Sequence, residues 1–229
     1  MRLAQPMPTI LITSERSELL SKMLTHRGFD VLHVPLVTLS GTGIRAPDGA
    51  PDDVLVTSAA VARFVPDLAD QIRGARVFAV GPATASALQK IGVDIHHVGD
   101  SGGVEALKHL EATKGKLKWY IGAKEPSAEL EQALRDTRVE HWPVYATTPL
   151  VDPDALTSLR ADGVCFTSGS AVKSFVQSAG VPRFSVFTIG PTTSMVAQQL
   201  GIRVTAMADR PSLTSLADAV QAFFNRPAL

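Results

Sequence analysis

Two turns in this chain carry residues suited to holding an anion. Gly81-Pro82-Ala83-Thr84 follows the apolar run Val77–Val80, and Gly190-Pro191-Thr192-Thr193 follows Val186–Ile189. In each, the glycine permits close approach of backbone to a ligand or unusual dihedrals. The proline suits the first helical position, where a missing N–H is no loss. The amides of the helix start, aided by Thr84 or Thr193, can bind a phosphate or a carboxylate. Ordinary helix entry is the better explanation of one such turn alone, and the second copy brings the two readings level.

Thr57-Ser58 and Thr167-Ser168 end two other apolar runs. There they either cap the next helix or add hydroxyl donors beside the same strand ends. Tyr145 is one of only two tyrosines and lies in an irregular Pro-Val-Tyr-Ala-Thr stretch. Its phenol can donate a proton or hydrogen-bond a ligand, with packing as the structural alternative. No metal centre is expected. His96 and His97 are adjacent, which on a strand sends them to opposite faces, and the other histidines lack ligand spacing. Cys165, the single cysteine, sits in an apolar strand pattern and reads as a small buried hydrophobe. There is no phosphate-binding P-loop, and Gly99-Asp-Ser-Gly-Gly103 lacks the dinucleotide spacing and reads as a strand-to-helix loop.

The elements that must position these residues come in duplicate. Val77–Gly92 reads VFAVGPATASALQKIG and Val186–Gly201 reads VFTIGPTTSMVAQQLG. Val54–Phe64 resembles Val164–Phe175, and Thr9–Val37 resembles Lys116–Thr147 in outline. The unit is strand, turn, helix, repeated about 110 positions apart, so the same geometry is expected twice, facing a shared cleft. Short apolar runs alternate with helical patterns, which predicts parallel sheets with helices on both faces. Among the expected elements are a helix over Ala59–Ile72 and strands over Asp94–His97 and Val139–Trp142. A further helix is expected over Asp154–Arg160. Gly28, Gly92 and Gly201 are expected to end helices.

The segments Pro35–Leu39 and Pro143–Thr148 are extended and occupy equivalent places in the two halves. If they pair, the chain crosses twice and its first domain is discontinuous. A single cut near Asp152 is the simpler alternative. Composition narrows the function. With 22 Lys and Arg against 22 Asp and Glu, the net charge is zero, so there is no basic footprint for nucleic acid. No stretch of 18 apolar residues predicts a membrane span. The N-terminus lacks the apolar region of a signal peptide, which makes the cytoplasm the expected location.

Taken in order, Thr57-Ser58-Ala59-Ala60-Val61, Val80–Thr84, Val144–Thr147, Phe166–Ser170, Ile189–Thr193 and Pro211–Thr214 resemble the uroporphyrinogen-III synthase family. The resemblance runs from about Thr9 to about Phe224. It implies two doubly wound α/β domains joined by a two-stranded linker. These would be residues 1–36 with 149–229, and residues 37–148, with linker strands near 35–39 and 143–148. It also implies a cofactor-free, usually monomeric lyase of tetrapyrrole biosynthesis. The substrate would be linear hydroxymethylbilane, cyclised with inversion of its last pyrrole ring. By resemblance Tyr145 is the candidate acid, and Thr84, Thr193 and Ser168 line the cleft. Thr57, Ser58, Gly81, Lys124, Thr167, Gly190 and Thr192 complete the expected substrate contacts. Two places depart from the family pattern. A Thr-Arg-Pro-like segment is replaced by Thr13-Ser14-Glu15, with Arg16 displaced. A loop that often carries arginines reads Ile121-Gly122-Ala123-Lys124-Glu125, with Lys124 its only cation. These departures keep open a catalytically weak or inactive two-domain module that binds an anionic small molecule.

Overall fold

The computed structural model describes residues 7–99, 102–150, 156 and 159–225. The chain divides into two compact units at Thr38/Leu39 and at Thr147/Thr148, so the first unit is discontinuous. Each unit is built on one sheet.

The first unit holds β1 (Thr9–Ile12), β2 (Asp30–His33), β9 (Gly163–Phe166), β10 (Ser185–Thr188) and β11 (Ala206–Met207), in the order β11-β10-β9-β1-β2. Its helices are α1 (Glu18–His26), α7 (Gly169–Ala179), α8 (Pro191–Gln199) and α9 (Leu213–Phe224). The second sheet is formed by β3 (Val37–Gly41), β4 (Asp53–Val56), β5 (Arg76–Ala79), β6 (His97–Val98), β7 (Lys118–Ala123) and β8 (Glu140–Pro149). Their order is β3-β8-β7-β4-β5-β6. With them go α2 (Val61–Phe64), α3 (Leu68–Gln71), α4 (Pro82–Gln89), α5 (Gly103–Glu111) and α6 (Ala128–Arg135). Strands β3 and β8, which run across the two division points, are neighbours.

The duplication is visible strand for strand. Reading β2-β1-β9-β10-β11 against β8-β7-β4-β5-β6 matches Thr9–Val37 with Lys116–Thr147 and the Gly-Pro-x-Thr segments with each other. The central strands β4 and β9 are buried at every residue, as parallel strands covered on both faces must be. Two clusters cover each sheet. In the first unit one contains Ile10, Ile12 and Phe187 and the other Leu11, Val164 and Phe166. In the second, Val54, Trp119 and Ile121 face one side, and Leu55, Phe78 and Tyr120 the other.

Helix boundaries follow local chemistry. Ser127, Ser168 and Ser212 each accept a backbone N–H at the start of α6, α7 and α9. Gly28, Gly92 and Gly201 follow helices with φ of 84°, 82° and 75°, left-handed geometry that suits glycine. The helix expected over Ala59–Ile72 is instead two short turns, α2 and α3. Pro66 removes a donor and keeps Val65 out of the helical region, at φ −131° and ψ 73°. The strand expected at Asp94–His97 begins only at His97. The strand expected at Val139–Trp142 runs on to Pro149, because it gains partners on both sides. Of the helix expected over Asp154–Arg160, residues 154, 155, 157 and 158 lie outside the described residues. Among the described residues no helix is long and apolar enough to cross a membrane.

Candidate active site

In each sheet the strand order reverses direction between two neighbours, β1 and β9 in the first unit and β7 and β4 in the second. Ligands of open α/β sheets bind beyond the carboxyl ends of strands at such a switch point. Every candidate residue falls on one of these two edges.

On the second unit's edge, Thr57 and Ser58 leave β4, Gly81 leaves β5, Lys124 leaves β7, and Tyr145 lies within β8. A bulge decides where Tyr145 points. Gly122 pairs with Pro143, yet Ala123 pairs with Tyr145, so Val144 is an extra residue. Strict alternation would place Tyr145 on the face opposite Trp142 and Val144. The bulge instead brings it into their cluster, since an inserted residue re-aims the side chain that follows. Tyr145 is buried, stacks on Phe64 at 5.9 Å between centroids, and is hydrogen-bonded to the Ser58 side chain. Burial raises its pKa above the ordinary value of 10, and the Ser58 bond partly offsets that rise. The phenol is therefore protonated at neutral pH and able to donate. Its carbonyl accepts the Lys124 amide at 2.7 Å, while the Lys124 side chain is exposed.

Thr57 faces the other way. Its Oγ1 donates to the hydroxyl of Tyr120 over a long 3.3 Å. Tyr120 has no place among the residues expected from sequence to act, yet it sits at the same switch point. One sequence signal could have found it. Gly122 follows it by two positions inside a strand, where glycine often marks a close approach.

The Gly-Pro-x-Thr turns are alike in both units. Gly81 (φ −172°) and Gly190 (φ 178°) are extended, a backbone any residue adopts, so the expected unusual dihedrals are absent there. Nor does the protein crowd them. Among the described residues, a Cβ would meet nothing nearer than Gly99 O at 3.9 Å for Gly81 and Pro211 Cβ at 3.6 Å for Gly190. Neither helix start has a side-chain cap, in contrast to α6, α7 and α9. The first free amides of α4 and α8 belong to Ala83, Thr84, Thr192 and Thr193, since Ala85 and Ser194 already bond back to the glycine carbonyls. Thr84 and Thr193 themselves are only 5% exposed, on the core side of their helices, so these turns present amides more than threonine hydroxyls. Thr192 is exposed.

On the first unit's edge, Thr167 is half-buried. Ser168 caps α7 through the Ala171 amide at 3.2 Å and lies 3.0 Å from the Ser170 hydroxyl. Thr13, fully buried, bridges the switch point by donating to the Cys165 carbonyl at 3.1 Å. Cys165 is itself fully buried and burial pushes its thiol pKa up, the reverse of what a nucleophile needs. His96 and His97, expected on opposite faces, both meet the Phe78 ring, and His97 lies 5.6 Å from His109. His96 precedes β6, which frees it from strand alternation. Among the described residues no group of three or more His, Cys, Asp or Glu is placed to hold a metal ion.

The chain matches a family model described as uroporphyrinogen-III synthase HemD over residues 18–218. It is 28% identical over 160 residues to a uroporphyrinogen-III synthase of Schizosaccharomyces pombe, a match spanning 64% of this chain and 62% of that protein. Two solved structures share the fold. One is a mutant uroporphyrinogen III synthase from the extremely thermophilic bacterium Thermus thermophilus (TM-score 0.65, 19% identity, 95% of this chain and 97% of the other). The second is a uroporphyrinogen-III synthetase from Helicobacter pylori (TM-score 0.63, 18% identity, 95% and 99%).

Proposed function

The chain belongs to the uroporphyrinogen-III synthase family, and from that premise we propose that it cyclises hydroxymethylbilane to uroporphyrinogen III. The observation that carries this reading is the placement of Tyr145. Its phenol is protonated, hydrogen-bonded to Ser58 and held at the carboxyl edge of a parallel sheet. Loss of the substrate's hydroxyl needs one weak acid. Tyr145 donates a proton to the departing oxygen, and water leaves with assistance from the pyrrole nitrogen. The substituted carbon of the terminal ring then attacks the exocyclic methylene of the azafulvene so formed, making a carbon–carbon bond. The resulting spiro intermediate fragments and recloses with that ring inverted.

Most of the enzyme's work is then positioning a flexible chain, an orientation effect. The substrate carries many carboxylates. The uncapped amides after Gly81 and Gly190 are suited to hold them without a large net charge. Thr57, Ser58, Lys124, Thr167, Ser168 and Thr192 add polar contacts on the same edges. The absence of a Cβ at Gly81 and Gly190, which the fold does not require, supports close approach of a ligand there. The enzyme acts in the cytoplasm as a monomer in this reading.

The test is incubation with freshly prepared hydroxymethylbilane, followed by oxidation and separation of the isomers. Uroporphyrinogen III is the expected product. Isomer I alone, which forms without an enzyme, would overturn the proposal.

A further inference from the structure

We infer that Tyr120 is a positioning residue of this reaction: from the opposite face of the sheet, its hydroxyl braces the strand ends that present Tyr145. The inference rests on the acid role proposed for Tyr145.

Tyr120 is 1% exposed, among Leu55, Phe78, Leu107 and Leu130. A phenylalanine would fill that apolar space. A buried hydroxyl is tolerated there only when it is hydrogen-bonded. The strand makes room for it, since a Cβ on Gly122 would sit on the Tyr120 oxygen. Position 122 thus gives up a side chain so that the phenol can lie along β7 toward the switch point.

Two groups meet that oxygen. One is Thr57 Oγ1 and the other is the backbone amide of Ala123. The Ala123 carbonyl in turn lies 3.0 Å from His141 Nε2, and the His141 ring stacks on Tyr120 at 4.7 Å. Ala123 is the residue that pairs with Tyr145 across the bulge. Its carbonyl is therefore held from the Tyr120 side, where its amide faces the Tyr120 oxygen. Thr57 and Ser58 follow β4, and their side chains turn to opposite faces of the sheet. Thr57 takes Tyr120 and Ser58 takes Tyr145. The only two tyrosines of the chain thus grip one dipeptide from its two sides.

The test combines Tyr120→Phe with Tyr145→Phe. Isomer III formation is measured as kcat and KM, beside the thermal midpoint. Tyr120→Phe is expected to lower kcat about fivefold or more with KM within about twofold, and to leave the midpoint within a few degrees. In the Tyr145→Phe background its further effect shrinks below about twofold, because the group it positions has gone. Unchanged kcat, a change in KM alone, or losses that multiply would each overturn the inference. If Tyr145→Phe is fully active, the acid reading fails and takes the inference with it. A damaged Tyr145→Phe beside a neutral Tyr120→Phe sinks the inference alone. Should Tyr120→Phe not fold, Thr57→Val and Thr57→Ser carry the test. The valine variant is expected to show the same Tyr145-dependent loss and serine to restore activity, and equal activity of the two overturns the inference.

Discussion

Phe64 stacks on Tyr145 with ring planes 21° apart, and the Arg63 guanidinium lies 4.9 Å from the Phe64 centroid on this same short helix. The stack fixes the Tyr145 ring independently of its hydroxyl. Tyr145→Phe should therefore fold normally and isolate the proton-donating role. Because the leaving group departs with pyrrole assistance, kcat for isomer III should fall by up to about 10²-fold, the lower end for general acid catalysis. Stopped-time assays with isomer separation would measure it.

Alanine at Gly81 or Gly190 should separate ligand approach from folding. Both backbones are extended and uncrowded, so the variants should keep or gain stability, by about 0.4–1 kcal/mol through the unfolded state. If carboxylates approach these turns, KM for hydroxymethylbilane should rise in the same variants. Thermal melts and steady-state kinetics on both proteins check the pair of outcomes.

Gly122→Ala should behave in the opposite way. Its methyl meets the Tyr120 oxygen inside a packed strand, and overpacking of this kind costs about 1–3 kcal/mol. A denaturant midpoint shift, with unchanged slope, is the expected signature.

Tyrosine ionisation gives a pH prediction with a definite sign. Burial raises Tyr120 to about 12 and Tyr145 above 10. A folded pKa above the unfolded one means this stability is fully present below pH 10 and is lost as pH rises through the folded values. With only two tyrosines present, tyrosinate absorbance should appear near pH 10 in the denatured chain and well above it in the native one. At the acid end His141 is depressed by burial, an effect the Ala123 carbonyl partly offsets. Its contribution is present above about pH 6.5 and is lost below it, so His141→Gln should flatten the decline of the melting temperature there.

At the amino end of β4, away from the candidate site, Asp53 is fully buried. Its Oδ2 accepts from Arg76 Nη2 at 3.0 Å and from the Thr113 hydroxyl, while its Oδ1 lies 2.7 Å from Arg76 Nε. Arg76→Met strands that carboxylate and should cost about 3 kcal/mol without changing kcat per folded molecule. Melting and active-site-normalised rates distinguish the two effects.

Local patterns were enough to specify the building unit. Apolar runs buried on both faces, serines at helix starts, glycines at φ near +80° and the duplicated Gly-Pro-x-Thr turns depend on neighbours a few residues away. The sequence by itself therefore determined two similar parallel-sheet halves and the strand ends at which the candidate residues sit. Pro66, which breaks the helix expected over Ala59–Ile72, acts just as locally. Only the tertiary structure decided which side chains meet. The bulge at Val144 arises from pairing between β7 and β8, and alternation within β8 alone would send Tyr145 to the wrong face. The local mark of Tyr120 is Gly122 two positions on, which does not say what the phenol meets. It reaches the candidate site because Gly122 lacks a Cβ and because Thr57, which follows β4 some sixty residues earlier in the chain, lies beside its hydroxyl. The burial of Thr84 and Thr193 is decided in the same way, by the rotation of each helix against its sheet.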